Sequence, residues 1–418
     1  MADLKDGEIA VSSNGYFQRV LSSLRNRNYR IYWIGQSVSL IGTWMQSTAQ
    51  GWLIYQLTGS SFYLGLVSAM GTLPVLFFSL FGGALADRIP KRKLLLFTQT
   101  VLALQAISLG VLVLTGVIQV WHVMLLSLLL GLMNAIDAPT RQSFIFELVG
   151  KDLLMNAIGL NSISFNTARI LGPVIAGILI SAVGLAHCFI INGISYFATI
   201  IALISMKIPD VARASREEQI TKSVKEGLTF VRRRPDIFSL LAIVASSSLF
   251  AFSYTALMPV FAGDVLKTGA TGLGGLMSAV GVGALLGALN VASMTNRGRS
   301  AKVAFVANLT LSISLILFSL SRWYWVSLIF LGGVGFSMIT QNSTVNNLIQ
   351  TNTPDHMRGR VMGLYNITFM GLAPLGNLLA GTVAQFAGAP IAVLIGAIIN
   401  GLLVILLFRL RPEMKNLR

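Results

Sequence analysis

Twelve apolar runs, each near the roughly 20 residues that a bilayer crossing requires, leave this 418-residue chain one broad option, a polytopic membrane protein. They lie near 29–56, 62–86, 93–115, 120–147, 155–183, 186–206, 237–262, 271–295, 301–320, 323–347, 357–386 and 390–409. Runs longer than 20 residues tilt or protrude. Charged residues make up 11% of the chain, against about 25% in an ordinary soluble domain. The first 28 residues are polar, with Lys5, Arg19, Arg25 and Arg27, and lack the apolar core of a signal peptide. Cys188 is the one cysteine, so no intrachain disulfide can form.

The net charge of +16 raises nucleic acid as a partner, but the distribution argues for topology instead. Of 31 Lys and Arg, 28 fall before the first span, in alternate loops and after the last span. Lys267 and Arg322 lie on the other side, and Arg169 lies inside a span. The positive-inside rule then places both termini in the cytoplasm.

Lys207 to Asp236 is the only long polar interruption. It divides the chain into 1–206, a linker over 207–236, and 237–418. Within the linker, 223–231 reads as a short amphipathic helix at the membrane surface, with Val224, Leu228 and Val231 on one face. The two six-span halves repeat at an offset of 204 residues. Gly83-Ala84-Leu85 matches Gly287-Ala288-Leu289, Gly131 matches Gly335, and Thr140 matches Thr344. Leu171-Gly172 matches Leu375-Gly376, and Ala176-Gly177 matches Ala380-Gly381. Duplicated halves with a path between them are a transporter architecture.

Between the second and third runs stands Gly82-Gly83-Ala84-Leu85-Ala86-Asp87-Arg88-Ile89-Pro90-Lys91-Arg92-Lys93. It resembles the signature loop of major facilitator transporters, with Pro90 where that superfamily usually has glycine. The resemblance implies a gate built on Gly83, Asp87, Arg88 and Arg92. Asp87 would cap the start of the eleventh span, near 357–361, and Arg88 and Arg92 would reach an acid at the end of the fourth, Asp137 or Glu147. In the second half Val291 stands at the position of Asp87, so the charge chemistry is one-sided.

The fifth span contains Arg169-Ile170-Leu171-Gly172-Pro173-Val174-Ile175-Ala176-Gly177. Proline removes a helix hydrogen bond and bends the helix. Gly172, Pro173 and Gly177 resemble the fifth-helix motif of drug–proton antiporters; the bland reading is a kinked packing helix. With Asn134-Ala135-Ile136-Asp137-Ala138-Pro139-Thr140-Arg141-Gln142 and the linker segment Glu226-Gly227-Leu228-Thr229-Phe230-Val231-Arg232-Arg233-Arg234-Pro235, the chain is similar to the branch of enterobactin and macrolide exporters. That resemblance covers nearly the whole chain and implies export of a small molecule across a bacterial inner membrane. Many antiporters carry an arginine in the middle of the fourth helix; Ser127, Leu128 and Leu129 occupy that region here.

Asp137, Arg141 and Glu147 are the candidates for proton coupling. Asp137 and Arg141 are four residues apart on one helix face, so a static ion pair is an equal reading for them. Polar residues within spans should face protein or a cavity rather than lipid. Gln36, Thr43, Gln46 and Gln50 of the first span, Tyr254 of the seventh, Gln341 and Asn342 of the tenth, and Tyr365 and Asn366 of the eleventh are candidate cavity residues. Interhelical hydrogen bonding is the competing role for each. Arg169 lies mid-span, roughly 20 Å from either end, and something like 10 Å from Asp137 in depth at about 1.5 Å per residue. Its options are Asn166, carbonyls freed near Pro173, or an anionic or carbonyl-rich ligand, because guanidinium suits planar oxygen groups. Bracing the bend is the structural alternative.

His122, His187 and His356 lie apart and lack metal-ligand spacing. The sequence therefore implies no metal, cofactor or enzyme chemistry. It reads as an all-α membrane protein of twelve spans in two pseudo-symmetric halves, a monomer exporting a small organic molecule by alternating access with proton antiport. An importer or uniporter on the same scaffold and a lipid flippase are the rivals.

Overall fold

The computed structural model describes residues 21–206, 220–294 and 300–411, without the side chains of Leu80, Asp87 and residues 220–225. All regular structure among the described residues is helical. Helix α1 (Arg27–Thr58) begins where the Asn26 side chain accepts from the Tyr29 N–H at 3.1 Å, and ends at Gly59 with φ 58°. Helices α2 (Ser61–Arg88) and α3 (Lys91–Leu114) are joined by Ile89 and Pro90 alone. Both have negative φ, and the Pro90 carbonyl accepts from Lys93 N–H at 2.9 Å. This turn needs no left-handed residue, which is why proline can stand there.

Helices α4 and α5 are the two arms, 120–149 and 151–182, of one 63-residue element, Val120–Ala182. The hydrophobic pattern had placed a connector over 148–154. Instead Gly150 alone makes the break, at φ 70° and ψ −176°, a conformation open to glycine. Glu147, Lys151 and Asp152 interrupt the apolar pattern while the helical hydrogen bonding runs on past them. Helix α6 (Leu185–Ser205) follows, then a linker helix (Ile220–Arg232). The second set comprises α7 (Pro235–Val265), α8 (Gly269–Ser293), α9 (Ala301–Leu320), α10 (Tyr324–Thr351), α11 (Asp355–Ala387) and α12 (Ala389–Leu410). Helix α7 is not the single regular helix its pattern suggests. It contains π-helical turns at Ser247–Ala251 and Phe261–Val265, a local unwinding often found at functional sites. Helix α11 breaks at Leu372, ahead of Pro374.

Among the described residues, ten helices are long and apolar enough to cross a membrane, with Val120–Ala182 counted once. Helix α1 has 32 residues but carries a polar stripe along its length. The linker helix keeps an amphipathic pattern and packs against α11. Val231 is buried, Leu228 is exposed, and Val224 lies outside the described side chains. Gly227 lies against Arg360 and Leu364 of α11, and Glu226 pairs with Arg360 at 3.2 Å. The close approach at Gly227 turns the helix toward the start of α11.

The 204-residue repeat reappears as paired contacts. A Cβ on Gly172 would lie 2.5 Å from Trp44 Cβ on α1, and one on Gly376 would lie 2.6 Å from the Leu249 carbonyl oxygen on α7. Likewise Gly177 packs on Thr271 of α8 at 3.0 Å, and Gly381 packs on Gly65 of α2 at 2.9 Å. Small residues let backbones meet where no larger side chain fits. The α5–α8 and α2–α11 seams formed this way join the first six helices to the last six.

Each set also has a buried polar bolt. In the first, Gln46 donates to Gln105 (3.1 Å) and accepts from Asn192 (2.6 Å). In the second, Asn308 donates to Ser247 (2.8 Å) and Gln341 (3.0 Å), and Asn400 donates to Asn308 (3.0 Å) and Ser312 (2.9 Å). Such buried amides satisfy one another. They tie α1–α3–α6 together in the first set and α7–α9–α10–α12 in the second.

Candidate functional site

The face carrying the α1–α2 and α7–α8 turns is closed by bonds between the two sets. Tyr55 Oη donates to Asp264 Oδ1 at 2.5 Å. Ser60 Oγ and the Phe62 N–H donate to Gln385 Oε1 at 2.6 and 3.3 Å. The hydroxyls of Ser181 and Thr271 meet at 2.7 Å. Directly beneath lies a central cavity of about 420 Å³. Thr43, Trp44 and Gln50 of α1, Asn134 of α4, Arg169 of α5, Asn192 and Tyr196 of α6 and Tyr254 of α7 contribute to its wall. Among the described residues, Arg169 is the only charged one in the lining.

A second cleft of about 720 Å³ lies toward the opposite face, which carries the α2–α3 connection and the linker helix. It separates Leu76 and Ser79 of α2 and Pro139 and Gln142 of α4 from His356, Arg360 and Asn366 of α11. The two linings follow each other within one turn, Thr72 then Val75 on α2 and Asn134 then Ala138 on α4. The two spaces are thus neighbours along α2 and α4, the cleft nearer the linker face and the central cavity nearer the Tyr55–Asp264 closure.

The sequence candidates divide accordingly. Thr43, Gln46, Gln50, Arg169 and Tyr254 line the central cavity, and Asn366 lines the cleft. Gln341 is a correction: it is fully buried and bonded to Ser247 and Asn308, so it holds helices together rather than facing a ligand. Gln36 and Asn342 are buried outside both linings, each with an unpartnered amide oxygen, and the Tyr365 hydroxyl donates to the Asn342 carbonyl at 3.4 Å. Polarity within a span does not distinguish a bolt from a cavity wall; only the facing helix does.

Asp137 is 2% exposed and accepts four hydrogen bonds. Thr98 Oγ1 and Gln99 Nε2 of α3 each donate at 2.8 Å, Arg141 Nε donates at 3.0 Å, and a second Arg141 nitrogen also bonds it. Thr98 and Gln99 carried no sequence signal for this role. Glu147 pairs with Lys91. Arg92 instead donates to the Leu203 and Ile204 carbonyls at 2.7 and 2.9 Å, capping the end of α6. The Asp87 side chain lies outside the described residues. Gly83 has open space where a Cβ would be, whereas one on Gly82 would lie 2.2 Å from the Ala135 carbonyl oxygen. In this loop the packing glycine is therefore Gly82.

Arg169 does not brace the bend. Pro173 cannot donate to the Arg169 carbonyl four residues back, but α8 covers that stretch: Ser278 donates to the Ile170 carbonyl at 2.7 Å, and Gly281 lies against the Arg169 carbonyl. Asn166 bonds Ser162, not Arg169. The guanidinium points into the cavity, 3.9 Å from Met338 Sδ and 5.8 Å from the Trp44 ring centroid. Sequence reading also missed the Tyr55–Asp264 bond, because the partners are 209 residues apart and Asp264 reads as a loop acid at a span end.

Two packed helix sets, a cavity between them and closure at one face fit a membrane transporter of the major facilitator type. Residues 18–417 match the family model described as transmembrane secretion effector, and the chain belongs to that family. It is 27% identical over 373 residues to the multidrug efflux pump Tap of Mycolicibacterium fortuitum, covering 86% of this chain and 90% of that one. It is 25% identical over 362 residues to the staphyloferrin A transporter of Staphylococcus aureus (83% and 87% covered). It is also 25% identical over 384 residues to the enterobactin exporter EntS of Escherichia coli (90% and 91%). Among solved structures it resembles the nucleoside transporter NupG, with TM-score 0.72 and 14% identity over 91% of this chain and 98% of that one. A bacterial homologue of the lysosomal transporter Spinster, in an inward-facing conformation, gives TM-score 0.70 and 15% identity over 97% and 99%.

Proposed function

We propose that this protein exports a small organic molecule, of drug or siderophore size, from the cytoplasm across a bacterial inner membrane by alternating access, as a monomer. The observation that carries this reading is the central cavity, closed at one face and adjoined by a cleft toward the other. The excess of Lys and Arg on the linker face puts that face in the cytoplasm, so the chain stands open inward and closed outward. The relatives named for efflux and export favour the outward direction. Asp87, with Arg88, would belong to the opposing cytoplasmic gate, which forms when the cleft closes against α11.

Proton antiport is the energetic scheme we assign, from the Gly172-Pro173 motif of α5. Its carrier would lie outside the central cavity, which has no acid or histidine among the described residues of its lining. The test is counterflow and gradient-driven flux in vesicles of known orientation, using a substrate found by screening efflux-deleted cells for altered sensitivity or secretion. Flux out of the cytoplasmic compartment that falls when the pH gradient is collapsed supports the reading. Flux only toward the cytoplasm makes the protein an importer. Lipid movement in substrate-free bilayers makes it a flippase.

A further inference from the structure

The central cavity holds one charge that nothing neutralises. Among the described residues no acidic side chain forms an ion pair with Arg169, and none lines the cavity into which it points. Its neighbours are the Trp44 ring and the Met338 thioether. A ring face attracts a cation weakly, and sulfur is a poor acceptor. A cation within the membrane normally has a partner or marks a ligand path. Tyr254 adds a second, independent sign. Its hydroxyl is buried without a hydrogen-bond partner, lines the same cavity and lies within electrostatic reach of Arg169. A buried hydroxyl left unmatched is costly, and a phenol can donate.

We infer that the central cavity is a binding site for an amphipathic organic monoanion, its carboxylate or similar oxyanion held by the Arg169 fork and the Tyr254 hydroxyl. This deepens the transport reading above and rests on it for the anion's passage, but not for its binding. A guanidinium offers two parallel donors to a planar oxyanion. The apolar body of the ligand has Trp44, Leu273, Met277 and Val280 to lie against. A volume of about 420 Å³ falls within the roughly 300–1,000 Å³ of small-molecule sites. One unbalanced positive charge matches one negative charge; a second would be left unpaired, and a cationic ligand would face Arg169 with no acid to offset it.

Arg169 also sits at a joint between the helix sets: Gly281 of α8 rests on its backbone at the α5–α8 seam. The anion would therefore be held beside that seam.

The test is equilibrium binding to the full-length protein in nanodiscs, read by calorimetry. Three probes share one ring and differ in charge: 2-naphthoate, 2-naphthamide and 2-naphthylmethylammonium, with the biphenyl homologue of each. The carboxylates should bind at least 10-fold tighter than the amides, and the ammonium ions should not displace them. In Arg169→Gln the carboxylate-to-amide ratio should fall to about one while amide binding is retained. Arg169→Lys, which keeps the charge but loses the fork, should recover only part of that ratio. Tyr254→Phe should lower it several-fold. Equal binding of all three charges, preference for ammonium, retention of the ratio in Arg169→Gln, or no binding by any probe would each overturn the proposal. Chloride titration separates an inorganic occupant. If saturating chloride abolishes the carboxylate preference, the site belongs to the halide and the organic-anion assignment is wrong. The charge series on the unsubstituted protein decides the matter even if Arg169→Gln does not fold. Carboxylate binding without outward flux in oriented vesicles would leave the site intact and sink the export reading instead.

Discussion

Asp137→Asn separates a proton carrier from a structural clamp. The carboxylate is 2% exposed and saturated by four donors, three at 2.8–3.0 Å, from two helices. Asparagine keeps the shape and one acceptor oxygen, which Thr98 and Gln99 can still reach. Its NH2 group then faces the Arg141 guanidinium, donor against donor, and leaves that cation uncompensated. Breaking a buried ion pair from one side costs about 3–5 kcal/mol. Arg141 keeps 23% side-chain exposure, so the low end, ~3 kcal/mol, applies, roughly a 150-fold loss in the folded-to-unfolded ratio. Reversible SDS unfolding in mixed micelles measures it. The double variant Asp137→Asn/Arg141→Met should regain most of the loss, because the orphaned charge is gone. Pure clamping also predicts that the fraction of Asp137→Asn that does fold keeps its dependence on the pH gradient. A variant as stable as the parent that has lost gradient dependence while retaining counterflow would refute the clamp and restore Asp137 as the carrier.

Tyr55→Phe removes a charge-assisted bond across the closed face. Partial solvent access holds its worth to about 1 kcal/mol, so outward opening should rise about 5-fold. The labelling rate of Ser68→Cys in a Cys188→Ala background, applied from that face, reports it; an unchanged rate would rule out a latch. In the signature loop, Gly82→Ala should cut transport at least 10-fold, since its Cβ would meet the Ala135 carbonyl oxygen at 2.2 Å. Gly83→Ala should stay within two-fold, and equal effects of the two would contradict the packing. Asn308→Ala strands Ser247, Gln341 and Asn400 in a dry interior and should cost ~2–3 kcal/mol in SDS unfolding; a loss below ~0.5 kcal/mol would mean the bolt does not hold the second helix set.

Much of this protein follows from its sequence because the bilayer is a demanding solvent. Backbone groups in lipid must pair within a helix, so apolar length alone locates α2, α3, α6, α8, α9 and α12. The 204-residue repeat already contained the seams: Gly177 and Gly381 recur in the sequence because they meet backbones at equivalent places. The Asp137–Arg141 pair was visible as well, being local to one helical face.

Tertiary structure decided what depends on the neighbouring helix. Gln46 and Gln341 look alike in sequence and both bond neighbouring helices, yet Gln46 also borders the cavity while Gln341 is sealed against Asn308 and Ser247. Arg92 and Lys91 are adjacent bases, but only Lys91 meets Glu147, because Arg92 is aimed at the exposed carbonyls of α6. Tyr55 and Asp264 come together only when the two helix sets dock. A one-dimensional pattern records which side chains avoid lipid, since that cost is paid residue by residue. It does not record which protein surface receives them, because that is fixed by the joint packing of helices distant in the chain.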